Sequence, residues 1–243
     1  MKDLTGKTAL VTGASSGLGE HFARVLAAQG ARVTVAARRV EKLEALCGEI
    51  AGAEARALDV TDPESVSALF DERSYDVVVN NAGVSIPGAA MDYSGDDWQA
   101  TIDTNLTGCF RVAQAAARAA KDAGQGAAIV NIASILGLRV AGQVAAYATA
   151  KAGLVQMTKA LALEWARHDI RVNALCPGYI ETPLNAEFFA SEPGQKLIKR
   201  IPQRRLGQME DLDGPLLLLA SDAGRYMTGA TLAVDGGHLV SSL

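Results

Sequence analysis

At 243 residues the chain is long enough for one large domain or two small ones, and an α/β domain of this size can bury a continuous core around a sheet. Its 49% hydrophobic and 21% charged residues are those of a soluble globular protein, and a net charge of −4 without a strongly basic segment argues against nucleic acid as the main partner. No stretch reaches the roughly 18 apolar residues of a membrane span, and no apolar signal core opens the chain; three scattered cysteines without metal-ligand spacing suggest buried thiols in a cytosolic protein and no metal site.

Along the chain, short apolar runs alternate with longer helical stretches. Strands are expected at 8–12, 32–36, 56–59, 76–80, 127–132, 171–176 and 231–234. Most are β-branched and near-continuously apolar, as strands covered on both faces are. The first helix spans 17–29, with Leu18, Phe22, Val25 and Leu26 on one face and Gly30 at its C-terminal cap. In "TDPESV" Asp62 is an N-cap before Pro63 at the first helical position. Further helices are expected at 97–122, 143–168, 184–199 and 209–221. Strand–helix alternation implies right-handed crossovers and a parallel sheet, folded as a single doubly wound α/β domain. The segment 178–207, "GYIETPLNAEFFASEPG…", interrupts the rhythm and reads as a substrate lid.

The first strand runs into "VTGASSGLGEHF". Gly13, Gly17 and Gly19 stand at G-x₃-G-x-G spacing between a strand and a helix, where the chain turns tightly and the helix N-terminus offers free N–H groups to a pyrophosphate; Ser15, Ser16 and Leu18 belong to the same expected cofactor loop. The second strand ends in "AARR". With no carboxylate there to take ribose hydroxyls and with Arg38 and Arg39 able to pair a phosphate, NADP(H) is expected over NAD(H), mainly through Arg38; Arg39 also reads as a surface residue opening a helix.

The remaining candidates follow strand ends: Asp59; Asn81, Ala82 and Gly83; Ser134; Pro177 and Gly178. In a parallel sheet these ends share the ligand-binding edge. Tyr147 and Lys151 are i and i+4 on a helix and share a face, so the ammonium favours the phenolate and equips Tyr147 to exchange a proton with a substrate oxygen. Ser134, 13 residues before Tyr147, is placed to steady the same oxygen.

These motifs, "TGASSGLG" (12–19), "NNAG" (80–83), "TNLTG" (104–108), Ser134, "YATAK" (147–151) and "PGYIET" (177–182), resemble the short-chain dehydrogenase/reductase family over nearly the whole chain. The resemblance implies a seven-stranded Rossmann-type sheet and reversible hydride transfer between NAD(P)H and a ketone or secondary alcohol. It implies Tyr147 as general acid or base, Ser134 orienting the substrate oxygen, and Lys151 binding the nicotinamide ribose and favouring the phenolate. Asn105 would hold a relay water. Asn81 and the backbone around Gly83 would lie along the cofactor, Asp59 and Val60 at the adenine, and Ile180 and Thr182 at the carboxamide. Family members commonly form homotetramers through two long helices and the last strand, here 105–122, 143–168 and 230–238.

Two departures bear on this. Ser16 stands where many NADP(H)-using relatives carry a basic residue. After "NNAGVSIPG" the chain also lacks the arginine–aspartate and methionine-rich pattern typical of bacterial 3-oxoacyl-carrier-protein reductases, which are the alternative reading. A non-catalytic NADP(H)-binding protein and an isomerase or dehydratase are further rivals. The expected substrate wall is Leu136, Val144, Tyr147, Tyr179 and Phe188, with Ile135, Val140, Ile180, Leu184 and Phe189 beside them. Its apolar character predicts an uncharged or weakly polar ketone or secondary alcohol, alicyclic or aromatic, with Glu187, Lys196 and Lys199 as the alternative for a charged one.

Overall fold

The computed structural model describes residues 3–71, 73–182 and 185–241. Seven strands form one sheet: β1 (Thr8–Thr12), β2 (Arg32–Ala37), β3 (Glu54–Ala57), β4 (Val77–Asn80), β5 (Ala127–Ile132), β6 (Ile170–Pro177) and β7 (Thr231–Val234). Their order is β3-β2-β1-β4-β5-β6-β7, with every neighbouring pair parallel. The order reverses between β1 and β4, which opens the crevice where a doubly wound sheet binds ligands.

The helices are α1 (Gly17–Ala28), α2 (Val40–Glu49), α3 (Pro63–Phe70), α4 (Gly95–Ile102), α5 (Gly108–Asp122), α6 (Ala145–Trp165), α7 (Ala186–Ala190), α8 (Glu192–Ile198) and α9 (Asp213–Ala220). They cover both sheet faces, and the alternation of strand side chains explains why the strands look uniformly apolar. In β1, Ala9 and Val11 pack with Phe22 and Leu26 of α1 and Leu216 of α9 on one face. Leu10, between them, faces Leu69, Val112 and Leu161 of α3, α5 and α6 on the other. Among the described residues no helix is long and apolar enough to cross a membrane.

Several element boundaries differ from the sequence reading. β3 lies two residues earlier than expected. It is an edge strand paired with Thr34–Ala37, and its last bond to β2 runs from the Leu58 N–H to the Ala37 carbonyl at 3.1 Å, so Asp59 follows the strand instead of ending it. α2 carries too weak an apolar pattern to be foreseen; only Leu43 and Leu46 are buried along it. The helix expected at 97–122 is interrupted by a π turn at Asp103–Thr107. The one expected from Gln143 starts at Ala145, because Gln143 adopts a left-handed φ of 64°. The segment from 184 contains two short helices split at Ser191, whose hydroxyl caps the second; Leu184 itself lies outside the described residues. The helix expected at 209–221 opens with a 3₁₀ turn at Met209–Leu212. Asp62 caps α3 as expected, accepting from the Glu64 N–H at 3.0 Å.

Candidate active site

At the reversal point lies a cleft of about 410 Å³. Of the residues expected at the cofactor, Gly13, Ser15, Ser16, Gly17, Leu18, Arg38, Arg39, Asp59, Val60, Asn81, Ala82, Gly83 and Thr182 line it, joined by Ala37, Leu58, Val84 and Thr104. The glycine loop owes its shape to close backbone approach. A Cβ on Gly19 would lie 2.3 Å from the Gly13 carbonyl oxygen, so only glycine lets α1 start this near the loop. Thr12 and Asn81 lock the loop to the β4 end. The Thr12 hydroxyl accepts from the Asn81 and Ala82 N–H groups, and the Asn81 amide donates to the Thr12 carbonyl at 3.0 Å.

Basic side chains mark one end of the cleft. Arg39, beyond its place at the start of α2, reaches over the glycine loop and donates from Nη2 to Ser15 and Ser16 Oγ, both at 2.9 Å. Its guanidinium therefore stands beside Ser16, the position that lacked a basic residue in the sequence. The Asp59 carboxylate accepts from the Thr61 hydroxyl and N–H; these bonds hold it below its usual range, with burial opposing and Arg38 adding to the effect. No acidic side chain projects from the end of β2 itself, where "AARR" stands. An open cleft, a helix N-terminus and two guanidiniums fit a dinucleotide carrying an extra phosphate.

Asn105, Ser134, Tyr147 and Lys151 do not line this cleft; Asn105 and Lys151 stand just behind its Gly83. Lys151 is buried in α6, and its Nζ donates to the Ile132 carbonyl at 2.8 Å and lies 5.6 Å from the centre of the Tyr147 ring. The half-buried Tyr147 is one turn earlier on the same helix. Asn105 sits within the π turn, where the Gly108 N–H bonds back to the Asp103 carbonyl. Such a turn shifts the helical ladder by one residue and is frequent at functional sites. The Asn105 side chain is spent on backbone: Nδ2 donates to Thr101 and Val84 carbonyls, and Oδ1 accepts from the Val84 N–H. Gly83 lies against both groups. A Cβ there would be 2.6 Å from Asn105 Oδ1 and 3.6 Å from Lys151 Nζ.

Ser134 begins a short 3₁₀ turn after β5, and its Oγ accepts from the Leu136 N–H at 3.1 Å. The Ser134 backbone also bonds to the Cys176 thiol, which burial pushes up to about 11 against the opposing pull of that bond and of Lys151. Burial likewise raises the Cys109 thiol. Both thiols beside Lys151 thus stay protonated at neutral pH.

Other expected residues lie elsewhere. Gly19 packs behind the glycine loop. Pro177 and Gly178 are held against β7, the Gly178 N–H bonding to the Val234 carbonyl, and Ile180 is buried against Gly207; none of the four lines the cleft. Among the apolar wall residues, Ile135, Ile180 and Phe189 are buried in the core, whereas Val140 and Phe188 are 83% and 50% exposed. Leu136 and Val144 are half-buried on the segment joining Ser134 to Tyr147. Tyr179 and Phe188 each pack edge-on against Phe189, at 5.8 and 5.1 Å. Lys196 is paired with Glu192 at 2.7 Å on the surface. Arg139 and His238, which no sequence motif marks, meet beside Tyr179: Arg139 donates to the His238 carbonyl, and the imidazole lies 5.5 Å from the Tyr179 ring.

Residues 13–238 match the family described as enoyl-(acyl carrier protein) reductase. The chain is 38% identical to L-rhamnose 1-dehydrogenase (NAD(P)(+)) of Azotobacter vinelandii over 98% of each chain. It is 37% identical to the 3-oxoacyl-[acyl-carrier-protein] reductase of Escherichia coli strain K12, over 96% of this chain and 97% of the other. The crystal structure of a gluconate 5-dehydrogenase from Burkholderia cenocepacia, in complex with NADP and tartrate, superposes with a TM-score of 0.93 at 35% identity over 99% of this chain and 98% of the other.

Proposed function

The chain belongs to the short-chain dehydrogenase/reductase family of NAD(P)-dependent oxidoreductases, and from that premise we propose how its residues divide the reaction. NADP(H) is preferred and NAD(H) accepted, with Arg38 and Arg39 together meeting the additional phosphate. The cofactor, when bound, supplies or takes up the hydride at the carbonyl carbon. In reduction Tyr147 gives its phenolic proton to the carbonyl oxygen as the carbon accepts the hydride, and the product is the secondary alcohol; in oxidation Tyr147 takes the proton back. Ser134 donates a hydrogen bond to the same oxygen. Lys151 stabilises the phenolate and holds the ribose hydroxyls. The π turn at Asn105 seats a water that returns the proton from solvent. Asp59 and Val60 border the adenine and Thr182 the carboxamide, while Pro177, Gly178 and Ile180 set the backbone path there. Leu136, Val144, Tyr179 and Phe188 wall the substrate, under a lid formed by 178–207 within one domain spanning 1–243.

The observation that carries this reading is the placement of Lys151 Nζ, anchored at 2.8 Å on the Ile132 carbonyl and 5.6 Å from the Tyr147 ring. A protein that only binds the cofactor has no need of that pair, and stoichiometric loss of NADPH absorbance with substrate excludes an isomerase or dehydratase on the same fold. Tyr147→Phe separates the catalytic reading from the non-catalytic one. It is expected to lower NADPH-dependent carbonyl reduction at least a thousandfold while the NADPH dissociation constant changes less than about threefold. Turnover near wild type in this variant contradicts the assignment. Identity does not favour the acyl-carrier-protein reductase, at 37%, over the sugar dehydrogenase, at 38%.

We further infer a cytoplasmic homotetramer. The three cysteines are free, which suits a reducing compartment. Leu163 of α6 is 83% exposed, Phe110 of α5 is exposed, and β7 is an edge strand, so the surfaces expected to join subunits are apolar and unpaired. Sedimentation at micromolar concentration is expected to give four chains; a stable monomer contradicts this.

A further inference from the structure

Outside the cofactor cleft, three segments meet at the substrate end: the Ser134 turn, the end of β6 and the tail after β7. Arg139 stands at the junction. Its N–H bonds to the Ile135 carbonyl at 2.8 Å, so it directly continues the turn that Ser134 opens. At about 2 Å per residue, five residues put its Cα at most roughly 10 Å from that of Ser134. Gly137, between them, lies against the Lys151 backbone, which fixes the turn on the catalytic helix.

The Arg139 side chain is half-buried, and Nη1 donates to the His238 carbonyl. Among the described residues no carboxylate pairs with it. The neighbouring imidazole is also incomplete: His238 is only 6% exposed, and its buried Nδ1 has no hydrogen-bond partner. Burial holds this imidazole below its ordinary value, Arg139 and Arg200 push the same way, and Asp235 opposes them. Asp235 is not ion-paired with either guanidinium; its oxygens accept from the Gly237 and Leu239 N–H groups at 2.9 and 2.7 Å. Among the described residues the corner therefore has a guanidinium without an ion-pair partner and a buried imidazole nitrogen without a hydrogen-bond partner. The buried nitrogen normally costs free energy unless something pairs with it.

We propose that Arg139 and His238 form a recognition site for a substrate carboxylate, so that the substrates are short hydroxy acids and keto acids. The planar guanidinium can grip a carboxylate with the nitrogens not used on His238, and the imidazole can add one neutral donor. The distance to Ser134 suits an acid whose carbonyl lies a few carbons from its carboxylate. This assignment rests on the Tyr147 reading for the reaction, but not for the binding, and it replaces the uncharged substrate suggested by the apolar composition of the loop.

The test compares 4-oxopentanoate and 5-oxohexanoate with their methyl esters in NADPH-dependent reduction. Wild type is expected to prefer an acid over its ester by about tenfold or more in kcat/KM, mainly through KM. Arg139→Gln keeps a donor for the His238 carbonyl and removes the charge. It is expected to bring the acid/ester ratio to within about twofold of unity, and Arg139→Lys to restore part of it. Thermal melting of both variants within a few degrees of wild type shows that the tail is still docked. Equal use of acid and ester by wild type, or an equal loss for both in Arg139→Gln, overturns the proposal and leaves the reaction assignment intact. Calorimetry of L-tartrate on the NADP⁺-loaded protein gives a readout without turnover. Binding by wild type that weakens at least tenfold in Arg139→Gln upholds the carboxylate site even if no carbonyl is reduced; absent or equal binding rejects it.

Discussion

The two ends of the site are built differently. The cofactor end is backbone packed on backbone: the glycine loop closes on α1, and Thr12 and Asn81 stitch it to the next strand. The end proposed for the substrate is made by side chains from segments far apart in sequence, as in the Arg139–His238 bond across 99 residues. The first construction tolerates almost no change in residue type and leaves a compact motif in the sequence. The second has residues that can be exchanged singly, and that is where a family sharing one reaction can change its substrate.

The contrast is broken most sharply at Gly19. The alanine Cβ would meet the Gly13 carbonyl oxygen at 2.3 Å, and Gly19→Ala is expected to weaken NADPH binding by about a hundredfold, read by fluorescence titration. A variant binding as well as wild type would mean that the loop is not held by this contact. A smaller effect is expected at the guanidiniums. Arg38→Asp and Arg39→Ala are each expected to lower the NADPH/NADH ratio of kcat/KM by about tenfold. If only Arg38→Asp moves the ratio, the Arg39 bridge to Ser15 and Ser16 is a loop staple rather than part of the phosphate site.

The smallest effect belongs to a control on the opposite edge of the sheet. Burial pushes the Asp76 carboxyl upward, but hydrogen bonds from the Thr8 N–H and hydroxyl and from Lys7, 3.0 Å away, outweigh it and hold the group below its usual range. A depressed carboxyl contributes stability that is present above its unfolded value, about pH 4, and lost as pH falls through the folded one. Asp76→Asn is expected to cost about 1 kcal/mol at pH 7, by urea denaturation, and less as the pH drops below 4, with the cofactor ratio unchanged. A pH-independent loss assigns the effect to packing.

How much the sequence disclosed follows the same division. The strands were legible because a sheet covered on both faces needs continuous apolar runs, and only the polar edge strand β3 was displaced. The cofactor loop and the Tyr147–Lys151 pair were legible because each is local, within one loop or one helical turn. The π turn at Asn105 was not, since "DTNLT" carries no motif that marks it and the Asn105 side-chain bonds that accompany it reach Val84, 21 residues away. Arg39 looked like a helix-start residue because its target, Ser15, is 24 residues away. Arg139 had a signal that went unread: it is the only charged residue between Ser134 and Tyr147. His238 had none, since nothing in "DGGHLV" indicates that its ring is buried against Tyr179.

The central claim is that this chain transfers hydride to a carbonyl carbon with Tyr147 supplying the proton. It is tested most directly with NADPH carrying deuterium at the nicotinamide C4 position, followed by mass spectrometry of the product. The account predicts one deuterium on the carbinol carbon for each NADPH oxidised in wild type and no labelled product from Tyr147→Phe. Product formed without deuterium from either C4 face, or labelled product formed at the wild-type rate by Tyr147→Phe, contradicts it.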